Sequence, residues 1–242
     1  MKDILKHTIE FSTEKAVLFQ FESRCKLAAY SMGIYCSLIE LSDTFHTLMK
    51  FENYTGSLSV YRSFIENFVD LRNLKLNPFY VNQLDYDSYL QDQRKFKAAK
   101  NDNLYIKFPN LDLDFKLNEI NGIIKSLKEN KEFKLCGSIK HKFALAGMDQ
   151  EYDGIYPTLS AESHCSLDAI FERHFEFDDT NKKVNLIINN KNKYENYSFY
   201  LANISNYLIT AGILVANILE MQQLDEFVAE KEKIIADLQV YI

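Results

Sequence analysis

Only seven Gly and three Pro punctuate 242 residues, and between them apolar side chains recur at three- and four-residue steps. A sandwich or barrel of short strands needs a turn signal about every 8–12 residues, and the chain has too few turn-formers for that. Long helices satisfy both observations. The expected class is therefore all-α: an irregular antiparallel bundle of long helices, forming a single helical domain over 1–242. Its core is aromatic, since the chain carries 18 Phe and 15 Tyr but no Trp.

The periodicity places a short amphipathic helix at 3–14 and a long one at 16–50, through Val17, Phe21, Leu27, Tyr30, Ile34, Leu38, Leu41, Phe45 and Leu48. Gly33, inside the second, marks an expected close approach of another helix. NYTGS (53–57) breaks the pattern, with Thr55 or Ser57 available as an N-cap. A third helix is expected over 57–75, a fourth over 79–99 behind Pro78, a fifth over 112–131 and a sixth over 134–146. Pro157 suits the first turn of a seventh, expected to run unbroken to His174. KKVNLIINN (182–190) reads as a short strand or ordered loop insertion, and helices at 195–219 and 221–241 close the chain as a hairpin.

Charge narrows the function. A formal net charge of −6 is the wrong sign for a protein that coats nucleic acid over an extended DNA-binding surface, although a small basic pocket remains compatible with it. Lys outnumbers Arg by 23 to 5. Where Lys is the default cation, each Arg is a candidate for work that needs a planar fork. Cys25, Cys36, Cys136 and Cys165 show neither a CxxC pair nor metal-type spacing, so reduced intracellular thiols are expected. The N-terminus carries acids and lacks a small-residue cleavage site, unlike a signal peptide. The most apolar stretch, Tyr207 to Leu219, has thirteen residues, whereas a membrane span needs about 20. A soluble cytoplasmic protein without membrane contact is the expectation.

Phosphate-loop, dinucleotide, zinc-protease and nucleophile-elbow signatures are missing, and no Glu–x–x–His occurs to suggest a di-iron bundle. Neither a metal site nor a cofactor is expected. Two constellations carry what chemistry there is. Arg62 and Glu66, in YRSFIENFVDLRNL, lie at i and i+4 beside the apolar stripe of Phe64, Ile65, Phe68 and Val69, so at least partial burial is expected. A buried Arg–Glu pair is weak evidence for stability and asks for another reason. In YPTLSAESHCSLDAIFERH (156–174), Ser160, His164 and Asp168 fall at i, i+4 and i+8, which on one continuous helix is a polar seam. His164 is the natural acid–base group near neutral pH. A hydrolytic triad stacked on one helix would lack an oxyanion hole. Arg173 and His174 read as cations complementing a helix C-terminus, and His7, His46 and His141 have no evident partners.

These two segments resemble a bacterial all-helical family, domain of unknown function 5677. Its members carry an Arg–x–x–x–Glu helix and, about a hundred residues on, a Tyr–x–x–x–Ser–x–x–x–His segment. The matching residues here are Arg62 and Glu66, then Tyr156, Ser160 and His164, within a resemblance that covers roughly 20–175. It implies that the segments meet, bringing Arg62, Glu66, Ser160 and His164 into one buried polar cluster. A wider analogy is to HEPN bundles, many of them dimeric ribonucleases of toxin and anti-phage systems. Their mark is an Arg followed by His on the same helix after four to six residues. This chain has no such pair, although Arg62 and His164 would supply the same groups from separate helices.

Three functions follow as expectations. The first is a ligand- or partner-binding module of bacterial defence or stress type, with Arg62 and Tyr156 contacting an anionic ligand. The second is a metal-independent ribonuclease, with His164 as acid–base, Arg62 stabilising charge on phosphorus, and Glu66 and Ser160 completing the catalytic set. The third is a scaffold whose polar cluster only fixes helix register. An RNA or nucleotide ligand and a homodimer are the partners these readings imply.

Overall fold

A computed structural model describes residues 1–22, 24–178, 180, 182–188 and 197–240. Helix makes up 74% of the chain, and the described residues form a single sheet, of two strands, so the fold class is all-α. The chain divides into two compact units, residues 1–76 with 142–242, and residues 77–141.

The larger unit begins with α1 (Lys2–Ala16), α2 (Lys26–Lys50) and α3 (Tyr54–Leu76). The helix expected over 16–50 thus starts ten residues late, because 17–22, 24 and 25 lie outside helix and Phe19 turns into the core. Neither Thr55 nor Ser57 caps α3. Asn53 does, its side-chain oxygen accepting from Gly56 N at 3.1 Å, as an N-cap does for the third helical residue. The short turn between α2 and α3 makes them antiparallel neighbours, packed along their length.

After the second unit come α6 (Ile139–Leu145), which straddles the boundary, then α7 (Asp149–Gly154), α8 (Tyr156–Ser163) and α9 (Leu167–His174). The single helix expected over 157–174 is broken at His164–Ser166. Cys165 adopts φ 50°, a left-handed conformation that ends a helix. Ser166 then restarts the next one by accepting from Ala169 N at 3.2 Å. Asp168 consequently sits on α9 and shares no continuous helical face with Ser160 and His164.

Strand β1 (Phe175–Asp178) pairs antiparallel with β2 (Lys183–Leu186). The strand expected within 182–190 is therefore real over 183–186, with residues 189 and 190 outside the described set. Its partner FEFD, in which Phe alternates with acids, was not among the expected strands. Helices α10 (Tyr197–Ile218) and α11 (Leu224–Gln239) complete the unit, and residues 195, 196 and 241 of the expected hairpin lie outside the described residues.

Helix α10 is the axis of this unit, touching α1, α2, α3 and α11. At 22 residues it is long and apolar enough to cross a membrane by length and composition, and half of its most apolar window is buried against the other helices. The thirteen-residue reading of this stretch was too short. Its closest approach is at Gly212, where a Cβ would fall 2.2 Å from the Phe227 ring on α11. Phe227 in turn meets Phe11, Phe19 and Tyr35 at ring separations of 5.3, 5.8 and 6.4 Å. Gly33, the expected contact glycine, has nothing within 4 Å of its Cβ position.

The smaller unit is a helical hairpin of α4 (Val81–Lys100) and α5 (Leu113–Lys128), preceded by a 3₁₀ turn at Pro78–Tyr80. Its core is modest: Tyr80, Leu117, Ile120, Ile124, Phe133 and Cys136. Gln83 secures the loop behind α5 by accepting from Cys136 N at 2.7 Å.

Candidate functional site

The polar residues of α3 and α8 meet in the larger unit. On α3, Arg62 and Glu66 lie one turn apart beside Phe64, Ile65, Phe68 and Val69, all essentially buried. This anchors the helix and holds the polar pair at the rim of the core. On α8, Leu159 is fully buried and Tyr156 is 7% exposed. The first turn of α8 is thereby drawn against α3, with the phenol lying across the Arg–Glu line.

Arg62 then makes three hydrogen bonds with three different side chains. Its Nε donates to Glu66 Oε1 at 2.9 Å, one terminal nitrogen lies 2.8 Å from His164 Nε2, and the other donates to Tyr156 OH at 3.1 Å. The phenol passes its own proton toward Glu66 Oε1 at 2.7 Å, closing a ring of Arg62, Tyr156 and Glu66. The guanidinium carbon also stands 5.3 Å from the Tyr156 ring centre, at cation–π distance. Because a guanidinium has only donors, Nε2 of His164 accepts. That bond requires the tautomer with its ring proton on Nδ1.

Burial and hydrogen bonding oppose each other here. Desolvation disfavours the charge on Arg62, but the bonds to Tyr156 and the Glu66 carboxylate outweigh it and raise the guanidinium pKa further. Desolvation and the bond to Glu66 also raise the Tyr156 pKa, against the lowering effect of Arg62. Tyr156 is thus a firmly neutral hydroxyl at physiological pH.

The cluster is partly buried, in keeping with the partial burial expected for Arg62 and Glu66, and open at one edge. The Arg62 and Glu66 side chains are 20% and 34% exposed, and His164 is exposed. One N–H on each terminal nitrogen of Arg62, Glu66 Oε2 and His164 Nδ1 have no hydrogen-bond partner among the described residues. Ser160 departs from the expected set: its hydroxyl takes no part in the network, and only its backbone carbonyl serves, accepting from His164 N at 3.0 Å. Asp168 is exposed on α9 and does not orient the imidazole. Among the described residues, no group of His, Cys, Asp and Glu could hold a metal ion.

Two side-chain roles escaped the sequence reading. Arg173, expected as a cation at a helix end, is 6% exposed and lies 3.2 Å from Glu162 Oε2, tying α9 back to α8. His7, expected without a partner, bonds Glu230 Oε1 at 2.7 Å across 223 residues. Pairings at such separation leave no local pattern in a sequence.

No curated protein and no solved structure matches the chain. The family described as "Family of unknown function (DUF5677)" matches residues 28–184, a span that contains α2 except its first two residues, all of α3, α8 and α9, and every residue of the Arg62 network. The chain belongs to that family.

Proposed function

We propose that this protein is a ligand- or partner-binding helical module of bacterial defence or stress type, working in the cytoplasm, in which Arg62 anchors an anionic group. The observation that carries this reading is the state of the guanidinium: fixed by Tyr156, Glu66 and His164, yet with two N–H groups and the neighbouring imidazole Nδ1–H still available at an open edge. A pre-oriented fork with spare donors binds phosphate or carboxylate at little ordering cost. Glu66 neutralises part of the charge, so the ligand must approach from the His164 side. Exposed thiols at Cys25, Cys36 and Cys165 suit a reducing compartment.

A second reading is favoured by the 2.8 Å contact of Arg62 with His164. An arginine beside an exposed histidine is the pair a metal-independent ribonuclease uses, with His164 moving the proton and Arg62 stabilising charge on phosphorus. Ser160 contributes nothing to that chemistry here.

Titration with a short fluorescent single-stranded RNA, read by anisotropy and then by gel, tests both. Saturable binding that Arg62→Gln abolishes, with intact RNA, supports the binding module. Cleavage lost in His164→Ala at unchanged melting temperature supports the ribonuclease. Equal RNA and phosphate binding by wild type and Arg62→Gln, without cleavage, overturns both and leaves the cluster a structural register pin.

A further inference from the structure

The β-hairpin carries an apolar face that the rest of the described chain leaves uncovered. Its register pairs Phe175 with Leu186 and Phe177 with Val184. Directly opposed residues point to one side of a ladder, so these four side chains share a face, and Glu176, Asn185, Asp178 and Lys183 take the other. Ring contacts carry the face back onto α9: Phe177 to Phe175 at 6.5 Å, then Phe175 to Phe171 at 5.0 Å. Leu167, one turn before Phe171, extends it to within three residues of His164. Ile188 continues it beyond Leu186, because Ile187 N still bonds His174 O at 2.9 Å and keeps the ladder alternating.

Leu167, Phe171, Phe177, Val184, Leu186 and Ile188 are each between 47 and 83% exposed. With roughly 150–200 Å² for a whole large apolar side chain, they present on the order of 600–750 Å² of contiguous apolar surface. Monomers rarely leave more than a few hundred Å² bare in one patch. A stable interface buries about 800 Å² per partner. A two-stranded hairpin on its own is also marginal in water. Area and fold therefore ask for the same thing, a cover on this face.

We propose that the cover is the same face of a second copy of this chain, in an isologous homodimer that stacks the two hairpins and the α9 ends. Charge selects this occupant. Glu172 on α9 and Lys182 at the turn border the strip, and Glu176, Asp178 and Lys183 take the back of the hairpin. Among the described residues that is a mixed set of three acids and two lysines, without the basic cluster that holds an apolar face to anionic lipid or to nucleic acid. An isologous contact needs only a self-complementary patch, and a flat apolar strip is one. Because the strip begins beside His164, the two Arg62–His164 edges flank the interface. The dimer stands or falls independently of what those edges bind.

Light scattering coupled to size exclusion and sedimentation equilibrium test this on the full chain. The wild type is expected at twice the 28.3 kDa chain mass, with micromolar dissociation. Phe177→Ser with Leu186→Ser is expected to give a monomer of unchanged helical circular dichroism. Leu104→Ser, equally exposed but on the smaller unit, should remain dimeric. Leu186→Ser alone, at a 75% exposed position where folding has little at stake, should raise the dissociation constant by about tenfold. A monomeric wild type at tens of micromolar, whether or not it floats with lipid vesicles, overturns the proposal. So does a Leu186→Ser protein that dimerises as tightly as the wild type.

Discussion

The guanidinium of Arg62 donates to Nε2 of His164 across 2.8 Å, although 102 residues separate them. The contact depends on α8 stopping where it does. His164 is the C-cap of α8, and the left-handed Cys165 that follows lifts the chain away from α3. The imidazole is left at the rim, reachable from solvent and from Arg62 at once. Tyr156, buried at the start of the same helix, fixes the other side of the guanidinium.

Tyr156→Phe tests whether that support matters. It removes an acceptor from Arg62 and a donor from Glu66 while keeping the ring, the cation–π contact and the packing. Hydrogen bonds to charged partners contribute about 1.5–3 kcal/mol each, and partial exposure reduces this. A loss of about 1–2 kcal/mol in urea unfolding is expected. Ser160→Ala, whose hydroxyl bonds nothing among the described residues, should change stability by less than about 0.5 kcal/mol.

Gly212→Ala sets local preference against packing. Helix propensity alone would reward alanine by about 1 kcal/mol. The added Cβ, however, meets Phe227 Cε1 at 2.2 Å, a collision between the core helix and a ring wedged among three others. A net destabilisation of about 1–3 kcal/mol is expected. Combining it with Phe227→Leu should cost less than the sum of the two, as a double-mutant cycle in urea would reveal. Gly33→Ala, with open space around it, should be neutral or stabilising.

Stability should fall at both ends of the pH range, through different groups. Burial penalises the Glu230 carboxylate, but bonds from Lys233 and His7 outweigh this and hold its pKa below the ordinary 4.5. The stabilisation is present above that value and is lost as pH falls through the lowered folded-state pKa. Glu230→Gln should flatten this acid limb in melting curves. At the alkaline end, desolvation holds the phenols of Tyr35, Tyr61 and Tyr207 above the ordinary 10.0. Their contribution is complete below pH 10 and disappears as pH rises through the raised values. Tyrosine absorbance at 295 nm should accordingly show these three ionising only with unfolding.

Much of this architecture is written in local pattern. Apolar steps located the long helices, and the i,i+4 spacing of Arg62 and Glu66 placed them on one face before any coordinates. The motif likeness also put His164 beside them, although it named Ser160 for the place in the cluster that Tyr156 takes. What failed did so for identifiable reasons. The helix period runs unbroken through Ser160, His164 and Asp168, and hides the left-handed turn at Cys165. In retrospect Ser166 followed by Asp168 is an N-cap with an acid in the first turn, the one available signal of a restart. Gly33 and Gly212 look alike in sequence, because what distinguishes them is Phe227 on another helix. FEFD was not read as a strand, since four residues are short and KVNL, the partner that defines it, lies beyond the turn.

The most direct test of the site is the state of the His164 ring, read by nitrogen-15 NMR of histidine-labelled protein at neutral pH, with and without inorganic phosphate. The account requires a neutral imidazole protonated on Nδ1, with Nε2 accepting from Arg62. Its resonances should move saturably as phosphate is added, and Arg62→Gln should abolish both the accepted bond and the response. An Nε2-protonated ring, or a phosphate response that survives Arg62→Gln, would contradict it.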